Sequence, residues 1–256
     1  MSARFAFLHS DEASLVLECR AVGPPLWRHL GARVDPADLP DMAATRTPAS
    51  FSLDGDVPFS TLPPAGLGWF GPPALAARRN GAVLVPVFGE AAVHADDQTI
   101  RIAARDAVSG LEVTQQVSRA PGGAFLFDAS VANTGAEAVT IDGLASALLP
   151  LPASSAQVIS WRGRHNAELV ECREPMPRQA WLREGRRGIT GHGGPPGVVI
   201  LDDGAGRDTG LVLSLQLAWS GDSRIAIERD DEGFWTLSAG AVPAAGEIVL
   251  QPGESW

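Results

Sequence analysis

Apolar residues at every second position constrain this chain more than any other feature. Leu211, Leu213, Leu215, Leu217 and Trp219 interleave with Val212, Ser214, Gln216 and Ala218. Leu111, Val113, Gln115 and Val117 alternate with Glu112, Thr114 and Gln116, and Leu15, Leu17, Cys19 and Ala21 with Val16, Glu18 and Arg20. Successive side chains of a strand point to opposite faces, so this period specifies half-buried strands. Shorter strands are expected at Ala82–Phe88, Thr99–Ala103, Phe125–Val131, Val139–Leu144, Ile225–Glu228, Phe234–Leu237 and Glu247–Leu250. No apolar stripe at helical spacing persists over three turns.

The punctuation between these runs agrees. Asn80-Gly81, Asn133-Thr134-Gly135, Asp202 to Gly206 and Asp230 to Gly233 all supply residues that tolerate the positive φ of tight turns. Many strands with close turns predict antiparallel sheets packed face to face, an all-β sandwich with little helix. Two stretches interrupt the pattern, Pro24 to Pro73 and Glu174 to Gly197; both are proline-rich, and much of the first is expected as loop. Each carries tryptophan (Trp27, Trp69, Trp181) that needs burial, so neither reads as a linker, and residues 1–256 are expected to form a single domain.

Composition excludes several chemistries. The 20 cationic residues are all Arg, so no Schiff-base lysine, phosphate-loop lysine or Ser–Lys dyad exists. A net charge of −10 without a basic run argues against nucleic acid and anionic membrane as partners. Cys19 and Cys172 are neither a disulfide framework nor a zinc site. The N-terminal residues turn acidic at Asp11 and Glu12 and lack the apolar core of a signal peptide, and no apolar stretch is long enough to span a bilayer. A cytoplasmic location is the expectation.

Candidate sites are sparse. His9, His29, His94, His165 and His192 show no metal-ligand spacing, so no metal site is expected; His192 stands out for its Gly-rich surroundings. The pairs Asp96-Asp97, Asp202-Asp203 and Asp230-Asp231 read as turn formers, because neighbours in extended chain point apart. Gly253-Glu254-Ser255-Trp256 begins like a nucleophile elbow but lacks its closing glycine. Seven tryptophans could offer sugar-stacking faces, though core packing is their usual role. Trp161, with Arg162, Arg164 and His165, has the richest polar surroundings. No complete catalytic set is present, so none of these residues is assigned a catalytic role.

Ordered motifs along the chain resemble the N-terminal domain of bacterial α-galactosidases of glycoside hydrolase family 36. They are His29-Leu30-Gly31-Ala32-Arg33-Val34, Ser50-Phe51-Ser52-Leu53-Asp54, Gly110 to Gln116, Arg186-Arg187-Gly188-Ile189-Thr190-Gly191-His192, Gly210 to Gly221, and Leu250-Gln251-Pro252-Gly253-Glu254-Ser255-Trp256. The sequence departs from the family's pattern at Leu30, at Gly194-Pro195-Pro196 and in lacking tyrosine. The resemblance implies a large antiparallel β-supersandwich of two stacked, twisted sheets. It implies that a catalytic (β/α)8 barrel follows this segment and performs retaining hydrolysis of terminal α-galactosides with two aspartates, without metal or organic cofactor. This segment would then be inactive alone and would contact its own barrel and neighbouring subunits. By the same resemblance, an early loop carrying Asp41 and Arg46 would reach an α-galactoside at the active-site rim. The alternative is a free-standing, non-catalytic carbohydrate-binding β-sandwich.

Overall fold

The computed structural model describes residues 5–41, 59–64, 69, 71–206, 208–230 and 233–256. Strands dominate it; the helical segments among the described residues are short 3-10 turns at Pro36–Asp41 and Pro121–Gly123. The all-β, antiparallel architecture expected from the alternation is what the chain adopts. No helix among the described residues is long and apolar enough to cross a membrane. The chain falls into two compact units, residues 1–148 with 245–256, and residues 149–244.

In the first unit, β1 (Phe5–His9), β2 (Ala13–Glu18) and β3 (Leu26–Ala32) form a three-stranded antiparallel sheet. β4 (Leu75–Arg79) and β5 (Ala82–Leu84) make a hairpin, and β6 (Glu90–Ala95), β7 (Thr99–Asp106), β8 (Leu111–Arg119) and β9 (Phe125–Asn133) form a four-stranded meander. β10 (Val139–Pro150), whose last two residues belong to the second unit, pairs with β4 and with β18 (Ile248–Leu250). The core is aliphatic, with Leu8, Leu15, Leu17, Ile100, Ile102, Leu111 and Ile141 all below 2% exposure. Each such side chain contributes about 1.5–3 kcal/mol through burial.

Alternation translates faithfully in β8, where Leu111, Val113, Gln115 and Val117 are buried and their neighbours are not. It fails in β2, where Ser14, Leu15, Val16 and Leu17 are all buried: this strand lies between β1 and β3 and is covered on both faces. The Ala82–Phe88 expectation shrinks to Ala82–Leu84, since Pro86 has no N–H to continue a ladder. Asn80 (φ 51°) and Gly81 (φ 81°) make the tight β4–β5 turn that their sequence predicts.

Buried polar groups hold the loops. Asn133, fully buried, donates from Nδ2 to the carbonyls of Glu137 (2.8 Å) and Leu250 (2.9 Å) and accepts from the Gly135 N–H at 3.0 Å. Gly253 (φ 84°) donates to the Asn133 carbonyl, and Glu254 accepts the Gln251 N–H, so the chain turns to lay Trp256 along β9 beside Val131. The Pro252-Gly253-Glu254 motif is therefore a turn that extends a sheet.

The second unit holds a four-stranded sheet in the order β12-β11-β14-β15, built from β11 (Ser155–Arg164), β12 (Ala167–Pro175), β14 (Gly197–Asp202) and β15 (Val212–Gln216). Beside it in sequence, β13 (Ala180–Gly185), β16 (Ser223–Arg229) and β17 (Trp235–Ala241) pair in the order β13-β16-β17. Val158, Ile225, Ile227 and Leu237 form its driest positions. The leucine-rich run is an edge strand that ends at Gln216, with Leu213 and Leu215 only half-buried and Trp219 50% exposed. The proline-rich stretch from Glu174 to Gly197 contains β13, whose register pairs Trp181 with Ile227.

Candidate functional site

The second unit holds a cleft of about 850 Å³ built around residues 162–165, 182–194 and the start of β16. It forms because β11 and β12 are joined by a tight hairpin at His165-Asn166, with Asn166 in the left-handed region (φ 60°). Opposite, β13 delivers its residues into the Gly-rich segment from Arg186 to Gly194.

Arg183 organises the cleft. Its Nη1 donates to the Trp161 carbonyl at 2.8 Å and its Nη2 to the carbonyls of Gly193 (3.0 Å) and Gly194 (2.7 Å). A planar guanidinium serves three fixed acceptors in this way where an ammonium cannot. Burial, and then the charge of Arg162, pull the Arg183 guanidinium below its ordinary pKa. Two glycines permit the close approach that accompanies these bonds. A Cβ on Gly194 (φ 107°) would lie 2.2 Å from the Trp161 carbonyl oxygen, and one on Gly163 would lie 2.7 Å from the His192 carbonyl oxygen.

The carboxylate lining the cleft is Glu184. Its Oε1 accepts from Arg186 Nε and its Oε2 from Arg224 Nε, both at 2.7 Å. The hydrogen bond from Arg186 leads the causes that hold Glu184 below its usual carboxylate pKa, overcoming partial burial. Arg186 also donates to the carbonyls of Val242 and Pro243, and Gly188 N–H to Asp222, so the Arg-Arg-Gly motif ties the loop to β16 and β17 surroundings. With Arg162, Arg164, Arg183, Arg186 and Arg187 lining it, the cleft is cationic within an acidic protein. Such a lining donates hydrogen bonds to hydroxyls and anions. A retaining hydrolase instead needs two carboxyls about 5–5.5 Å apart, one of them kept protonated. Glu184, low in pKa and committed to two arginines, suits neither task.

Sequence reasoning singled out His192 and the Trp161–His165 group separately, and the structure brings them together. Nδ1 of His192 lies 3.3 Å from Glu168 Oε1, and the His165 and His192 rings meet edge to face at 5.5 Å. Glu168 was not foreseen. No local spacing signals this group, because His192 comes from a segment beyond β13. Asp41 closes the 3-10 turn Pro36–Asp41 of the first unit, which starts at Asp35, whose carboxylate accepts the Ala37 N–H. Arg46 lies outside the described residues. Of the tryptophans, Trp27, Trp69 and Trp235 are core residues, the last with Arg229 over its ring at 5.1 Å.

Comparison with known proteins gives this architecture a family. The chain is 27% identical over all 256 residues to an α-galactosidase of Escherichia coli, and spans 36% of that protein's length. It is 28% identical over 160 residues to α-galactosidase AgaA of Geobacillus stearothermophilus, covering 62% of this chain and 22% of AgaA. The crystal structure of that family 36 α-galactosidase superposes on 98% of this chain and 39% of its own, with a TM-score of 0.84 at 22% identity, and establishes the shared fold. The model of the glycosyl hydrolase family 36 N-terminal domain matches residues 23–251, and to that family the chain belongs.

Proposed function

We propose that this chain is the N-terminal β-sandwich segment of an α-galactosidase, and that hydrolysis of terminal α-galactosides is performed by a catalytic barrel belonging to the same polypeptide. One observation carries the reading: end-to-end similarity to an α-galactosidase more than twice as long. The cleft supports a non-catalytic role, since its lining is arginine-rich and its carboxylate is tied into ion pairs. Residues 1–256 act as one accessory domain in this reading, contributing to contacts with the barrel and with neighbouring subunits. The segment around Asp41 and Arg46 adds hydrogen bonds to the galactoside at the active-site rim. The acidic charge balance and the unpaired Cys19 and Cys172 are in keeping with a reducing, cytoplasmic setting.

The test is made in the complete parent enzyme. Asp41→Ala and Arg46→Ala should each lower kcat/KM for raffinose by about tenfold, the loss of one charge-assisted hydrogen bond at about 1.4 kcal/mol. Unchanged kinetics in both variants would remove the rim role. A parent that releases no galactose from any α-galactoside would overturn the reading as a whole.

A further inference from the structure

We propose that His165, Glu168 and His192 form a binding site for a divalent first-row transition metal such as zinc. One ligand atom from each residue lies within 4.8 Å of the others. Two imidazoles and one carboxylate are a recurrent zinc set that leaves a fourth position open. Zinc at about 2.0–2.1 Å from each ligand holds neighbouring donors about 3.4 Å apart. His192 Nδ1 and Glu168 Oε1 already stand at 3.3 Å, and the His165 donor lies within 4.8 Å of both.

The surrounding structure is built to hold this geometry. His165 opens the tight β11–β12 turn, across which Arg164 pairs with Ala167, Glu168 follows it on β12, and the Asn166 N–H donates to Glu168 Oε1 at 3.0 Å. That bond orients the carboxylate as supporting hydrogen bonds do in metal sites. His192 arrives on a different segment, fixed by the Arg183 bonds to the next two carbonyls, Gly193 and Gly194. The absent side chain at Gly163 lets the His192 backbone lie directly on β11. Nearby positive charge is partly committed: Arg162 pairs with Glu174 at 3.1 Å, and Arg164 donates to the His165 carbonyl. A bound ion would staple the Gly-rich segment to the hairpin across the 23 residues between Glu168 and His192. Its exposed position and open coordination site suit an ion that stabilises this edge of the cleft or accepts a donor from an outside group.

The experiment is calorimetric titration of the whole chain with zinc at mildly alkaline pH, because metal ligands bind in their deprotonated form. One saturable equivalent is expected, with affinity falling tenfold or more in His165→Ala, His192→Ala and Glu168→Gln and unchanged in His94→Ala, an exposed histidine elsewhere. Zinc at a hundredfold excess over its Kd should raise Tm by about 5–11 °C in the native chain and not in His192→Ala. Cobalt should give the visible absorption of a low-coordinate site in the native chain and lose it in that variant. If an alanine variant fails to fold, His165→Asn and His192→Asn take its place. Absence of saturable binding, or binding equally weakened by His94→Ala, would overturn the proposal.

Discussion

Replacing Arg183 should open the cleft without unfolding the protein. The side chain makes three hydrogen bonds to carbonyls of Trp161, Gly193 and Gly194 at 2.7–3.0 Å. Hydrogen bonds from a charged donor are worth about 1.5–3 kcal/mol each when buried, and nearer 1 kcal/mol where the released carbonyl can meet water. Gly193 is exposed and Arg183 only half-buried, so the lower figure applies. Arg183→Met should then destabilise the closed loop by about 3 kcal/mol, a factor of about 100 in its opening equilibrium. Hydrogen exchange by mass spectrometry reads this directly, since local opening governs amide protection. Peptides covering 186–197 should exchange about 100-fold faster, whereas those from β8 and β9 keep native rates. Arg183→Lys should fall between, because an ammonium cannot serve all three carbonyls. A loop whose exchange changes less than threefold in Arg183→Met would refute the claim that this guanidinium holds the cleft.

Other consequences can be measured alongside. Asn133→Ala removes hydrogen bonds to the buried Leu250 carbonyl and to the part-buried Glu137 carbonyl and Gly135 N–H, at about 1 kcal/mol each, and should lower the scanning-calorimetry Tm by about 6–12 °C. Burial pushes the Asp106 carboxyl up, but hydrogen bonds from Ser109 and the N–H groups of Val108 and Val87 outweigh it and leave its pKa lowered. Its stabilisation is therefore present above the unfolded-state pKa of about 3.9 and is lost as pH falls through the lower folded value. Urea titrations should show the native chain losing its advantage over Asp106→Asn across that acid window; a constant gap down to the acid limit would contradict the linkage. Gly194→Ala should mimic Arg183→Met in hydrogen exchange, because its Cβ would collide with the Trp161 carbonyl at 2.2 Å.

Sequence periodicity revealed the fold class because strand alternation needs only one dry face, and β8 satisfies that condition residue by residue. It misjudged β2, whose burial on both faces depends on partners that local pattern does not name. β13 stayed hidden among prolines and arginines because its exposed positions alternate Leu182 and Glu184 with half-buried Trp181 and Arg183, a pattern hydropathy alone does not recognise. The leucine run was the clearest signal yet marks an edge strand, since regular alternation says nothing about how deeply a sheet is covered. The cleft was half legible: Arg186 to His192 and Trp161 to His165 both attracted attention, but their meeting depends on Gly163 and Gly194 admitting backbone against backbone. Glu168 carried no signal, because its neighbour His165 gains a second imidazole only when the distant segment carrying His192 folds back on the hairpin.

The central claim, that galactoside cleavage resides outside residues 1–256, is tested most directly by incubating the purified chain with an aryl α-galactoside and following phenolate release. The account predicts a rate indistinguishable from the buffer blank. Sustained turnover that persists after repeated purification would contradict it.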